Sequence, residues 1–505
     1  MPPGNIRSLF VTEKALFWLS SATGERDKAD LQALEITNEK PEVKTVLAGL
    51  RWAEPSGDGK RILARKEDAL YVFDAAAAPV ADLDKKKVDL SAFTLSVDPR
   101  EEWRQMFNEA WRLERDYFYD RAMHGVDWNA MKARYLPLVD RVRSRVELSD
   151  LLAQMVSEVE ALHTFVYGGD MRKGDGEPAP AFLGARLARS TERGGLVVES
   201  VYRSDPDRPE LASPLARPGV DVKPGDVILA IDGVATLSAP DPGALLRAKA
   251  GRQVLLSVQP AAGGAPREVI VQPLTPEDDA DRRYHEWEYT RRLKTDEASG
   301  GTIGYVHLRA MGGDDYSAWA RDYYPVFTRQ GLVIDVRANR GGNIDSWILS
   351  RLLRRAWFYW NQRVGRAPSW NMHYAFRGHL VVLVDQNTAS DGEAFAEGFR
   401  RLGLGPVLGT RTWGGEIWLS SSNVLVDRGI ATAAEFGVFG PEGSWLIEGH
   451  GVEPDIVVDN LPRATWDGED AQLEAAIALL QKKIAEDPRP IPPVPPLPRK
   501  GPPAR

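Results

Sequence analysis

The sequence predicts a multidomain α+β chain, and three stretches carry that prediction. Residues 1–90 hold short β-rich runs parted by turn residues. Residues 97–163 switch to a helical period. Residues 301–460 alternate apolar strands with helical segments, the order of an α/β domain with a largely parallel sheet.

The first region, 1–90, opens with two β-rich runs in Leu9–Ser20 around a polar break. Leu31–Ile36 alternates, and Arg61–Asp74 reads as a hairpin turning at Glu67-Asp68. Gly24, Asn38 and Ser56–Gly59 supply turn chemistry. A spacing of about ten residues per strand suggests propeller blades, but this length makes only about two, too few to close a ring. Ala75–Pro79 and Lys85–Lys87 read as linker.

In the second region, 97–175, Glu101–Tyr119 sets Trp103, Met106, Phe107, Ala110, Trp111, Glu114 and Phe118 at helical steps. A second helix starts at Val126–Trp128, and a third over Ser149–Glu160, with His163 just beyond it. Thr164–Tyr167 then turns to strand. Residues 180–275 alternate β-runs with turns at Pro218-Gly219 and Lys223–Asp226, and a short helix fits Pro242–Ala248. Residues 280–465 form the α/β domain, with helices near 315–329, 344–356 and 391–402. The last region, 466–505, is one amphipathic helix (469–484) and a Pro-rich, PPII-biased tail.

Composition narrows the function classes. Length alone, 505 residues, suggests roughly three domains. A net charge of −8 with scattered Lys and Arg argues against a nucleic-acid surface. No apolar run is long enough to span a membrane, and the start, MPPGNIRSLF, lacks the pattern of a secretory signal. Zero cysteines exclude disulfides, a thiol nucleophile and thiolate metal sites, without fixing the compartment. No metal or organic cofactor is expected.

The richest segment is His379–Gly403. An apolar strand, Leu380–Val384, meets a short polar turn, and a helix opens at Ser390. That order places one hydroxyl at a helix N-terminus, where N–H groups and the dipole favour a negative oxygen. Covalent hydrolases use that geometry. Ser390-Asp391-Gly392-Glu393 is also a capping box, and taken alone it reads as a cap. Partners elsewhere must decide. The strand Val333–Arg337 runs into Ala338-Asn339-Arg340-Gly341-Gly342, whose glycines permit close backbone approach. Taken alone, this too could be a tight turn. Among seven histidines, His163 is the candidate base, although spacing cannot choose it. Glu448–Asp455 is an acid-rich turn before a strand.

Four segments match a known pattern: DVRANRGG (335–342), TASDGEAFAEGFRRLGLG (388–405), LGTRTWGG (408–415) and EGHGVEPD (448–455). Together they resemble the tail-specific, carboxyl-terminal processing proteases, and within them the tricorn type. The stretch SPLARPGVDVKPGDVILAIDGV (213–234), with Leu183-Gly184 before a strand, resembles a PDZ domain. PDZ-like modules bind peptide ends by strand addition. The resemblance spans about residues 97–460 and implies a crotonase-like α/β protease domain at 280–465. It makes 1–90 a propeller-like remnant, so the chain is expected to be the C-terminal part of a longer protein.

The resemblance implies Ser390 as nucleophile and His163 as base. Glu448 would be the acid that orients the histidine indirectly. Asp391 and either Gly341 or Gly342 would supply the oxyanion N–H groups. Relatives using a Ser–Lys dyad carry lysine where this chain has Gly415, which favours a histidine base. One departure is Leu162, where the tricorn pattern has a hydroxyl residue before the histidine. If 162–166 is strand, Thr164 shares its face and could orient His163 instead. The expected activity is hydrolysis of unfolded peptides through an acyl-enzyme, in a homo-oligomer that the resemblance makes a hexamer. A cytoplasmic location is expected, or a periplasmic one if a leader precedes the chain. The competing expectation is an inactive peptide-binding scaffold with a PDZ-like module. Asp345 and Glu416 are read first as surface charge, with selection of a basic residue beside the cut as the second reading.

Overall fold

The computed structural model describes residues 5–21, 28–39, 42–171, 178–364, 369–420, 424–498 and 501. Gly24 and the end of the Pro-rich tail, 499–500 and 502–505, lie outside them. The chain divides into two units, 1–98 and 99–505.

Among its described residues, the first unit is all β with one short 3-10 turn. Asn5–Val11, Ala15–Ser21, Ala29–Glu35 and Val43–Leu50 pair in sequence order as a four-stranded antiparallel sheet, the shape of one propeller blade. Trp52–Pro55, Arg61–Lys66 and Ala69–Asp74 make a three-stranded sheet, and the expected hairpin turns at Glu67, with φ 52°. Both sheets share one core around Phe17, Leu31, Leu50, Ile62 and Phe73.

The second unit begins with helices α1 (Pro99–Tyr117), α2 (Trp128–Tyr135) and α3 (Arg145–Ser157). Ser144 caps α3 by accepting from the Glu147 N–H at 3.2 Å, so this helix starts and ends earlier than the sequence pattern placed it. The apolar stripe of α1 buries Met106, Phe107, Ala110 and Trp111. Glu114 lies on the same stripe, and burial pushes its carboxyl up to about 8. This helical layer does not close on itself. Ile417, Leu425, Ala431 and Ala434, far along the chain, complete its core. Val166–Gly168 pairs antiparallel with Gly429–Ala431, and a buried Arg145–Asp427 ion pair at 2.6 Å ties the start of α3 to the residues just before that strand. The segment carrying His163 is thereby stitched to the C-terminal domain.

Residues 185–271 form an antiparallel sheet with its own core around Leu196, Val198, Ile228, Leu256 and Val258. The predicted short helix appears as a 3-10 turn, Pro242–Leu246. A long helix, α4 (Pro276–Ser299), then leads into the last domain.

That domain has five strands in parallel register, in the order Ile303–His307, Gly331–Asp335, His379–Val384, Val407–Gly409, Ile456–Val457. Its central strands are wholly buried because helices cover both faces. On one side, α5 (Gly313–Tyr323), α6 (Asp345–Leu352) and α7 (Asp391–Arg401) pack through Trp319, Ile348, Phe395 and Phe399. A short helix, α8 (Pro462–Trp466), precedes α9 (Ala471–Glu486), which seals the other side with Leu473, Ile477 and Leu480. Two adjacent parallel strands, Gly331–Asp335 and His379–Val384, aim their C-terminal ends at one edge. The glycine loop leaves from the first and the Ser390 turn from the second. Ligands of parallel α/β sheets bind at such an edge.

Candidate active site

Ser390 leaves its strand in a conformation few L-residues adopt, φ 55° and ψ −128°. Such backbone costs about 1–3 kcal/mol and survives only where the surroundings impose it. Here they do. Asn339 O accepts from the Ala389 N–H at 2.9 Å, Thr388 Oγ1 donates to Val336 O at 2.8 Å, and the Glu393 carboxylate accepts from the Ser390 N–H at 3.0 Å. The Glu393 N–H donates to the Ser390 carbonyl at 2.6 Å, and the Ser390 hydroxyl has no hydrogen bond among the described residues. A plain helix cap would spend that hydroxyl on the helix.

The glycine loop presses directly on this turn. A Cβ built on Gly341 would lie 2.5 Å from Ser390 Cβ and 2.9 Å from its Oγ. The two glycines differ in what their N–H groups do. Gly341 N–H donates to Asn339 Oδ1 at 2.8 Å. Gly342 N–H and the N–H of Asp391, the first residue of α7, have no acceptor among the described residues. The Asp391 carboxylate also ties the two loops together, accepting from the Ile344 and Asp345 N–H groups at 2.7 and 3.1 Å.

His163 is half-buried beside the 412–417 loop. Its ring meets Trp413 edge-on at 5.8 Å, and Nδ1 donates to the carbonyl of Ile417, 254 positions later, at 2.6 Å. Satisfying Nδ1 in this way leaves Nε2 as the lone-pair nitrogen. Burial lowers the imidazole below its ordinary value, against the pull of the Ile417 carbonyl and the Glu448 charge. Burial thus favours the neutral ring.

Glu448 reaches the histidine only through backbone. Its Oε2 accepts from the Glu416 and Ile417 N–H groups at 2.7 and 3.0 Å, fixing the residue whose carbonyl holds Nδ1. Its Oε1 accepts from the Leu162 N–H at 2.8 Å. Leu162 has no hydroxyl, yet its main chain makes the contact.

The Thr164 expectation is corrected. Residues 162–165 are not strand, which starts at Val166, and the Thr164 hydroxyl donates to Ala161 O at 3.3 Å. The Ile417 carbonyl occupies Nδ1 instead. Gly415 has no room for a lysine: a Cβ there would sit 2.3 Å from the Trp413 ring. Other histidines bond elsewhere, His307 to Tyr284 and His124 to Tyr119.

The reading of Glu416 as surface charge is also corrected, because it is 2 % exposed. Burial, then the charges of Glu393, Asp391 and Asp345, push its carboxyl up to about 10. Burial and Asp345 push Asp391 up to about 7. Both acids hold their protons more tightly folded than unfolded. Below the unfolded values neither costs stability, and stability falls as pH rises from about 4.5 toward neutrality and beyond. Glu416→Gln should therefore raise the unfolding temperature more at pH 8 than at pH 5. Thermal melts at the two pH values check this, and an equal shift at both would refute it.

Among the described residues no group of acids and histidines is arranged to hold a metal, and no helix is long and apolar enough to cross a membrane. Comparisons with known proteins agree with the geometry. Residues 302–458 match the model of peptidase family S41. Residues 99–157 match the tricorn protease C1 domain, and 181–276 the tricorn protease PDZ domain. The chain is 38 % identical over 444 residues to tricorn protease homolog 1 of Streptomyces coelicolor, covering 87 % of this chain and 41 % of that one. It is 34 % identical over 434 residues to a putative tricorn-like protease C-terminal subunit of Sulfurisphaera tokodaii, covering 85 % and 49 %. A crystal structure of the tricorn protease superposes with a TM-score of 0.84 at 27 % identity, over 95 % of this chain and 47 % of that one. The chain thus spans less than half the length of these relatives.

Proposed function

We propose, from a chain that resembles the tricorn protease in its core and PDZ-like part, that it is a serine peptidase cleaving unfolded peptides through an acyl-enzyme. One observation carries the reading. The Ser390 hydroxyl stands free of its helix on a strained turn, with the glycine loop packed against it. Strain kept at one serine points to function rather than capping.

In this reading His163 Nε2 takes the Ser390 proton as Oγ attacks the scissile carbonyl. The oxyanion is held by the N–H groups of Asp391 and Gly342. Gly341 is the weaker candidate, because Asn339 already takes its N–H. The imidazolium then protonates the leaving amine. Water, deprotonated by the same nitrogen, releases the acyl group and restores Ser390. Glu448 holds the Ile417 peptide, and Ile417 holds the imidazole in its reactive tautomer. A homo-oligomer, hexameric in the tricorn pattern, and a cytoplasmic site of action follow from similarity alone.

A fluorophosphonate probe tests the proposal. Covalent labelling of the full chain should map to Ser390 and vanish in Ser390→Ala. If the probe leaves Ser390 unmodified while peptide ends still bind, the chain is a peptide-binding scaffold instead.

A further inference from the structure

Glu393 entered the sequence reading only as the last residue of a capping box. In the structure its carboxylate is completely buried and takes four donors from two different elements. Oε2 accepts from the Ser390 N–H at 3.0 Å and the Gly415 N–H at 3.0 Å. Oε1 accepts from Thr412 Oγ1 at 2.5 Å and the Gly414 N–H at 2.7 Å. A helix cap needs only the first of these. The other three bind the loop 412–417, which carries two contacts to His163: the Trp413 ring and the Ile417 carbonyl.

That loop is held from its far side as well. Thr412 Oγ1 accepts from the Val452 N–H at 2.7 Å, the Gly414 carbonyl accepts from the Gly449 N–H at 2.8 Å, and Glu448 takes the N–H groups of Glu416 and Ile417. The loop has no regular secondary structure up to its last residues. Its place relative to Ser390 is therefore set by separate anchors rather than by a ladder: the Trp413 N–H donates to the Thr388 carbonyl at 3.1 Å, and Glu393 takes three of the loop's donors. Of those anchors, Glu393 is the one that also holds the nucleophile's own backbone.

We propose that Glu393 is a positioning residue of the reaction, fixing the Ser390 turn to the loop that orients His163. The idea rests on the peptidase reading above. Glu393→Gln keeps the shape but replaces one acceptor oxygen with an NH₂ that opposes N–H donors. A small misplacement of reacting groups costs as much as about 10²-fold in rate.

The experiment measures fluorophosphonate labelling of the full chain against probe concentration, together with thermal unfolding. Glu393→Gln should lower the limiting labelling rate constant about 10²-fold and leave the half-saturating probe concentration unchanged. A residue that served only as a cap would reduce the fraction of folded, labelled chain without changing that rate constant. Thr412→Val, which removes one donor, should slow labelling by a smaller factor, and it serves if Glu393→Gln does not fold. Rate constants within twofold of the unsubstituted chain in the folded variant would overturn the proposal while the peptidase reading stands. An unsubstituted chain that never labels at Ser390 would overturn both.

Discussion

Replacing His163 with alanine should lower peptide hydrolysis by on the order of 10⁶-fold in kcat, close to the loss from Ser390→Ala. A serine hydroxyl is a poor nucleophile until a base takes its proton. The Ile417 carbonyl fixes the imidazole with Nδ1–H satisfied, which leaves Nε2 to act as the proposed base, so on the peptidase reading removing the ring removes that base. The pH profile of the unsubstituted chain gives a second handle. Burial places the imidazole below its ordinary value of 6.5. Activity should fall as acid protonates Nε2, with a midpoint below 6.5. His163→Ala should lose that acid limb as well as the rate. Residual activity above a tenth of the original would mean that some other group activates Ser390.

Gly342→Ala should cost at least 10²–10³-fold in kcat, about the value of one oxyanion donor, with little change in KM. Gly342 adopts φ +154°, and a Cβ there would lie 2.1 Å from the Met311 carbonyl oxygen. The loop must move to admit it, and its N–H moves with it. That N–H matters because it is uncommitted, unlike its neighbour's. Circular dichroism would verify folding, and steady-state kinetics would give the split. A folded Gly342→Ala chain with unchanged kcat would take this residue out of the mechanism.

Much of the scaffold could be read from residue patterns. The 61–74 hairpin, the stripe of α1 and the strand–turn–helix around Ser390 all follow from local periodicity, and the structure forms each. The long helix α4 went unread because its 24 residues are too polar to show an apolar stripe. Its start was nevertheless legible: Thr275 caps it, Pro276 opens it, and Glu277, Asp278 and Asp279 follow in the first turn. Other features could not be read from one chain. The partner of His163 Nδ1 is a main-chain carbonyl, which any residue at 417 would supply. The choice between Gly341 and Gly342 depends on where the Asn339 amide points. Glu416 looks like any surface acid until the fold buries it near Glu393 and Asp391.

The stitching of His163 to a strap near the chain's far end has a consequence for synthesis. A ribosome delivers residue 163 long before residue 448, and the peptide that aims the imidazole stays unfixed until Glu448 arrives. A half-made molecule without Glu448 therefore lacks the contacts that hold Leu162 and Ile417 on either side of His163. On the peptidase reading, the base is firmly aimed only after that late segment has been made.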